Sequence, residues 1–280
     1  MIGLVSMMAK EIHEKLLDLK AYLQELGAVA VAFSGGVDST FLLKVAHDTL
    51  GDGVTAFTAS SVFVPERDVA EAREFCEKEG VHHIIKKFDT LGIDGIRFNP
   101  TNRCYLCKYA LFSQFKEMAG QLGLAAVVDG TNLDDDGDYR PGRKALGELD
   151  IKSPLHQAGF TKQDIRDLSR ELGLATWSKP SFACLASRFV YGEELTPENL
   201  QRINVAEELL QAKGFTQFRV RQHDSLARIE LLPADIDRFM TADIRADVAA
   251  KFRALGFDYV TLDLIGYRTG SMNEALNKEE

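Results

Sequence analysis

Leu16, Leu19, Leu23 and Leu26 recur at helical spacing and Gly27 is a natural stop, so the chain opens with an amphipathic helix. The period then changes. AVAVAF (28–33) is a short, continuous apolar run that reads as a buried strand, and it leads through SGGVDST into an apolar helix, FLLKVAHDTL, ended by Gly51. GVTAFTAS (53–60) is a second strand, Pro65 begins a helix through ERDVAEAREFCEKEG, and VHHIIKKF (81–88) is a third strand. Beyond a loop, CYLCKYALFSQFKEMAGQLG (104–123) reads as helix and LAAVVDGTN (124–132) as strand. TKQDIRDLSRELG (161–173) reads as a helix capped by Thr161, with Asp164 three residues on. Strands alternating with helices predict parallel crossovers and an α/β class, with a doubly wound, mostly parallel sheet.

From about residue 190 the pattern differs. TPENLQRINVAEELLQAKG is helical, FTQFRVRQH and LARIELL alternate as strands, PADIDRFMTADIRADVAAKFRALG holds further helices, and FDYVTLDL closes the pattern. Two domains are expected: residues 1–185, and a smaller α+β domain over 186–280.

Charge and cysteine usage narrow the class. A net charge of −9 disfavours non-specific nucleic-acid binding, which calls for a basic face. The apolar opening carries neither a basic leader nor a small-residue cleavage site, and no run reaches membrane-spanning length. Four cysteines without a secretory signal point to reduced thiols. A cytoplasmic enzyme is the expectation.

The segment AVAVAFSGGVDST carries the chemistry. A strand delivers the chain to Ser34, Gly35 and Gly36, and a helix begins near Ser39. Two glycines let backbone N–H groups approach an anion, and the helix N-terminus adds donors and a favourable dipole. Ser34 and Ser39 can donate to the same oxygens, and Asp38 can hold magnesium. No Lys-Ser/Thr pair follows the glycines, so this is not the Walker pattern; it matches the SGGxDS loop of N-type ATP pyrophosphatases. The competing reading is a glycine-rich turn without a ligand. Ser60, ending the second strand, is a further candidate at the nucleotide.

The loop after the strand ending at Asp129 lies on the same sheet edge. There Gly130, Thr131 and Asn132 can turn the chain close to the nucleotide. Asp134, Asp135 and Asp136 can bind metal or ribose, and Arg140 and Arg143 can pair with phosphate. A solvated acidic turn is the alternative for any single aspartate.

SGGVDS, GTNLDD, RPG, SPL, the Lys and Ile-Arg of TKQDIR, KPSFACLASRF and RVRQHDSLARIE occur in this order. Together they resemble the LarE family of ATP-dependent sulfur transferases, over about residues 30 to 270. The resemblance implies adenylylation of a carboxylate of a pyridinium biscarboxylate mononucleotide by ATP and Mg2+. AMP is then displaced by sulfur to give a thiocarboxylate, in building the nickel-pincer cofactor of lactate racemase. It assigns the functional cysteine to Cys184, and phosphate binding to Arg219 and Arg221. It assigns a divalent cation to Glu230 and, with weaker local matching, to Glu207 and Asp235. It also implies a homo-oligomer.

Two sulfur strategies occur in that family: a lone cysteine surrendering its own sulfur, or three cysteines holding a 4Fe–4S cluster that carries sulfide from an external donor. NRCYLCK places Cys104 and Cys107 two residues apart near a helix start, beside Arg103 and Lys108, which would lower their pKa values. With Cys184 they make three ligands, which favours the cluster. A redox dithiol relaying persulfide, a structural zinc and plain buried thiols stay open. Cys76 reads as a buried packing residue. Trp177 can stack on adenine or pyridinium or fill the core, and Ser187 and Arg188 can bind a substrate carboxylate or phosphate. His82 and His83, adjacent in a strand, face opposite ways and cannot chelate one ion.

Two rivals frame the reading. A tRNA-thiolating enzyme with the same loop calls for a basic RNA face and paired Cys-x-x-Cys modules that this chain lacks. A nucleotide-binding sensor would bind ATP without releasing pyrophosphate.

Overall fold

The computed structural model describes residues 2–136, 141–180, 183–268 and 270–272, with side chains from residue 11 onward. Contacts divide the chain into two compact units: Met1–Asp89 with Asn102–Phe182, and Thr90–Thr101 with Ala183–Glu280.

The first unit runs α1 (Ile2–Leu26), β1 (Val29–Ala32), α2 (Val37–Leu50), β2 (Val54–Ser60), α3 (Glu66–Glu79) and β3 (His82–Lys87). It continues with α4 (Arg103–Gln121), β4 (Ala126–Val128), α5 (Gly142–Glu148), α6 (Pro154–Gln157) and α7 (Lys162–Glu171). The sheet order is β3-β2-β1-β4 and every pairing is parallel, with Val29 opposite both Val54 and Ala126. The α/β class expected from the alternation is the one observed.

Period-2 alternation in β1 decides which helices cover which face. Val29 and Val31 join Leu19 and Leu23 of α1, Phe41 of α2, Cys76 of α3 and Leu168 of α7 in one core. Ala30 points the other way, with Phe57 of β2, toward Phe112 and Phe115 of α4 and Leu146 of α5. Strands buried on both faces need continuous apolar runs, which is what AVAVAF supplies. The α7 cap forms as the sequence predicts: Thr161 N–H donates to Asp164 Oδ2 at 2.9 Å, and Asp164 N–H to Thr161 Oγ1 at 3.2 Å. The short helix α5 went unrecognised because GRKALGE sits in a loop dense with turn residues.

The second unit contains α8 (Pro197–Ala212), β5 (Phe218–His223), β6 (Leu226–Leu231), α9 (Pro233–Phe239), α10 (Ala242–Ala254) and β7 (Tyr259–Leu262). β5 and β6 form an antiparallel hairpin and β7 pairs parallel to β6. Residues 90–101 complete this unit. Asn99, fully buried at φ 44°, donates through Nδ2 to Phe189 O at 3.0 Å and Val190 O at 2.8 Å, while its own carbonyl accepts Gly192 N–H at 3.2 Å. Asparagine tolerates this left-handed conformation where most residues do not.

Candidate functional site

In the order β3-β2-β1-β4 the chain leaves β1 toward β2 on one side and returns as β4 on the other. Such a switch point opens a crevice at the carboxyl ends of the two strands. The loops there are Ser34–Gly36 and Gly130–Asp136.

Gly35 takes φ +68°, the left-handed region, to make the turn. Gly36 caps α2, and Ser39 Oγ accepts the Ser34 N–H at 3.3 Å while lying 3.0 Å from Ser34 Oγ. The two hydroxyls are therefore neighbours, as the motif predicts. Lys179 Nζ donates to Gly35 O at 3.0 Å and to Glu71 Oε2 at 2.6 Å, bracing the turn from behind.

Asp38 is the unusual member. Its Oδ2 accepts Lys162 Nζ at 2.5 Å, whereas its buried Oδ1 has no partner among the described residues. Burial raises its pKa against the opposing pull of Lys162. A carboxylate oxygen buried without a donor costs free energy unless a cation completes it, so the donor set fits magnesium here.

Gly130 sits against this helix start. A Cβ there would come within 3.1 Å of Ser39 N and 3.3 Å of Asp38 Cβ, so only glycine brings the β4 loop this close. Behind it Asp129, missed by motif reading, organises the turn: its Oδ2 accepts Thr131 Oγ1 at 2.6 Å and its Oδ1 accepts Ser153 Oγ at 2.7 Å. Asn132 and Asp135 form a capping box, Asn132 N–H donating to Asp135 Oδ2 at 3.0 Å. The aspartates of this loop are engaged by the protein itself. Asp134 accepts Lys162 N–H at 2.8 Å, and Asp136 binds His156 at 3.0 Å and Arg143 at 2.5 Å. The expected metal-ready acidic row is thus a hydrogen-bonded frame. Arg140 lies outside the described residues. Ser60 ends β2, its carbonyl accepting Phe88 N–H at 2.9 Å.

The Lys and Ile-Arg of TKQDIR acquire separate tasks: Lys162 grips Asp38, and Arg166 donates to Trp177 O at 2.5 Å and Lys179 O at 3.0 Å. Trp177 is 40 % exposed with Arg170 5.6 Å from its ring centroid, which excludes the core-packing reading.

In the second unit Cys184 precedes a tight turn, Leu185–Arg188. Ser187 Oγ donates to Cys184 O at 2.8 Å, and Arg188 Nη1 donates to Ala183 O at 2.7 Å and Ser187 Oγ at 2.9 Å. Arg188 is buried, and its fork meets both oxygens of Glu207 at 2.9 Å. Burial opposes ionisation of Glu207, yet Arg188 holds its carboxyl below the usual range. Arg221 pairs with Glu230 at 2.7 and 3.0 Å and donates to Ser187 O at 2.7 Å. Arg219 shares the buried face, its guanidinium 5.1 Å from the Tyr267 ring centroid, and burial together with Arg188 lowers its pKa to about 10.

These pairings correct the carboxylate expectation. Glu207 and Glu230 neutralise buried guanidiniums, which would otherwise be uncompensated charges, and Asp235 lies on α9 beside Arg238 at 3.3 Å. Arg188 likewise faces inward and positions the cysteine turn. Among the described residues no three His, Cys, Asp or Glu side chains gather to hold a metal.

Cys104 and Cys107 sit one turn apart at the start of α4, with Arg103 Nη2 donating to Cys104 Sγ at 3.6 Å. They belong to the first unit and Cys184 to the second. Among the described residues no third ligand gathers with the Cys104–Cys107 pair, so the cluster expectation gains no support from the geometry. Cys76 is buried, which pushes its thiol up to about 12, as a packing residue should be. Among the described residues no helix is long and apolar enough to cross a membrane.

No protein-family model matches the chain. It is 42 % identical over 263 residues to the pyridinium-3,5-bisthiocarboxylic acid mononucleotide synthase of Lactiplantibacillus plantarum, covering 94 % of this chain and 95 % of that protein. An uncharacterized Synechocystis protein is 41 % identical over 95 % of this chain and all of its own length. A more distant likeness, 24 % over 67 % of the chain and 64 % of the relative, reaches a glutamine-hydrolyzing GMP synthase of Thermoplasma volcanium, and argininosuccinate synthases match at similar depth. With the phosphate turn at the switch point and near-complete coverage at this identity, the chain belongs to the LarE family within the ATP pyrophosphatases of PP-loop type.

Proposed function

We propose that this chain is an ATP-dependent sulfur transferase that adenylylates a carboxylate of pyridinium-3,5-biscarboxylic acid mononucleotide and replaces the AMP by sulfur. The observation that carries this reading is the phosphate turn closed by Gly130, with one buried Asp38 oxygen held open for a cation. In this reading the first unit is the ATP-binding domain, and the second binds substrate and mediates assembly into a homo-oligomer in the cytoplasm.

The turn amides and the α2 N-terminus hold the pyrophosphate portion of ATP, and Ser34 and Ser39 donate to its oxygens. Lys162 keeps a positive charge beside the phosphates. Magnesium, held by Asp38, would neutralise charge on the departing pyrophosphate. The substrate carboxylate attacks the α-phosphorus, the bond to pyrophosphate breaks, and the acyl carbon gains AMP as a leaving group. Sulfur then adds to that carbon and AMP departs with the C–O bond electrons. Arg219 and Arg221 bind the substrate phosphate, and Trp177 stacks on a ring of substrate or nucleotide.

Cysteine number and spacing support a 4Fe–4S carrier supplied by an external sulfur donor; no step is derived through it, because no third ligand gathers with the Cys104–Cys107 pair among the described residues. Anaerobic protein containing iron and sulfide supports the carrier. Colourless, iron-free protein after reconstitution, with Cys184 losing the mass of hydrogen sulfide on turnover, favours sacrifice of that cysteine. The reaction itself is tested by supplying ATP, magnesium, sulfide and the dicarboxylate mononucleotide. AMP, pyrophosphate and a product with sulfur in place of one carboxylate oxygen are expected. ATP binding without pyrophosphate release, or release stimulated by bulk tRNA, would overturn the reading.

A further inference from the structure

His83 lies on β3, two strands away from the phosphate turn, and its sequence position suggested no more than pairing or packing. The hydrogen bonds give it a direction. Thr58 Oγ1 donates its single proton to Phe33 O at 2.8 Å. The contact between His83 Nε2 and Thr58 Oγ1, at 2.8 Å, must therefore run from the imidazole N–H to the hydroxyl. Burial, with Arg73 nearby, holds His83 below the usual histidine range, so the neutral ring carries its proton on Nε2.

Phe33 O and Ser34 N belong to one planar peptide unit. Gripping the carbonyl of that unit fixes the direction of its N–H, which donates to Ser39 Oγ at 3.3 Å. Having accepted there, Ser39 presents its own proton inside the turn, where Gly36 O receives it at a long 3.3 Å. An anionic oxygen forms a shorter, stronger bond and displaces that carbonyl. Every donor along the path points the same way, so each polarises the next.

We propose that His83 is a positioning residue for nucleotide binding, orienting the Ser34 amide and the Ser39 hydroxyl through Thr58 and the Phe33–Ser34 peptide. This inference rests on the ATP-binding reading above. The His83 ring also meets Phe33 edge-on, with centroids 6.2 Å apart, so packing is the rival explanation of its presence.

The test compares wild type with His83→Phe, which keeps ring and packing but not the donor, and His83→Gln, whose amide restores an N–H near Nε2. Thr58→Val and the Thr58→Val/His83→Phe double variant complete the set. Dissociation constants for ATP with magnesium are read by calorimetry, beside kcat and melting temperature. His83→Phe is expected to weaken ATP binding about 10-fold, the scale of one lost hydrogen bond. Saturating kcat should move less than about twofold, and His83→Gln should bind ATP within about twofold of wild type. Because the bonds act in series, the double variant should bind ATP no worse than Thr58→Val alone. Unchanged affinity in His83→Phe, or His83→Gln as weak as His83→Phe, overturns the inference while leaving the ATP reading intact. If Thr58→Val does not fold, the two His83 variants still decide. Wild type that binds no ATP overturns the reading and this inference together.

Discussion

Asp38 and Glu207 are both carboxylates held away from water, and the protein treats them in opposite ways. Glu207 has each oxygen matched to the Arg188 fork and a third donor in the Val220 N–H at 3.1 Å. Asp38 has one lysine on one oxygen and nothing among the described residues on the other. Burial raises the Asp38 carboxyl, whereas Arg188 overcomes burial and lowers that of Glu207. A fully satisfied buried charge belongs to the frame, and a half-satisfied one marks where a ligand completes the set.

Substitution at each carboxylate breaks this contrast most sharply. Asp38→Ala should lower pyrophosphate release at least about 100-fold, the scale of losing a preorganised charge, with melting temperature unchanged or higher. Retained activity would remove Asp38 from the site. Glu207→Ala leaves Arg188 buried without its partner and should cost about 3–5 kcal/mol in denaturant unfolding. A cost below about 1 kcal/mol would mean the pair is not a frame element.

Gly130→Ala is gentler. Its methyl group must displace the α2 start by a few tenths of an ångström, so KM for ATP should rise about 10-fold with little change in stability. An unaltered KM would show that the close approach is dispensable.

Acid gives the smallest and most diagnostic difference. The lowered Glu207 carboxyl contributes stability that is present above its unfolded value of 4.5 and is lost as pH falls through the lowered pKa. The raised Asp38 carboxyl contributes in full below its unfolded value of 3.8 and loses that contribution as pH climbs through the raised pKa. In metal-free protein, the stability gained by Asp38→Asn over wild type should therefore grow from about pH 4 to about pH 7. The deficit of Glu207→Gln should shrink on acidification. Parallel pH dependences in unfolding titrations would mean that the two carboxyls share one environment.

The parallel sheet, the phosphate turn and the α7 cap were legible because each rests on local signals: an apolar run, two glycines, a Thr-x-x-Asp pair. Arginine partners were not, since Arg188 meets Glu207 across 19 residues and Arg221 meets Glu230 across a hairpin. The carboxylates that family matching marked for metal look alike in sequence whether a cation or a guanidinium faces them. Lys162 and Asp38 are 124 residues apart, and only the fold reveals their contact. Asp129 passed for the end of a strand because its task, holding Thr131 and Ser153, depends on β4 and the Lys152 bridge beside it.

Residues 90–101 bear on how the second unit can be inherited or handled. The chain enters that unit, leaves it at residue 101 and re-enters at 183, so its folding information is split between two places in the gene. A fragment starting at residue 183 would lack Asn99, and with it both donors to the Phe189 and Val190 carbonyls and the acceptor for the Gly192 N–H. The second unit is therefore not a cassette. Recombination or truncation at a single cut cannot move it to another protein intact, and the two units are bound to change together.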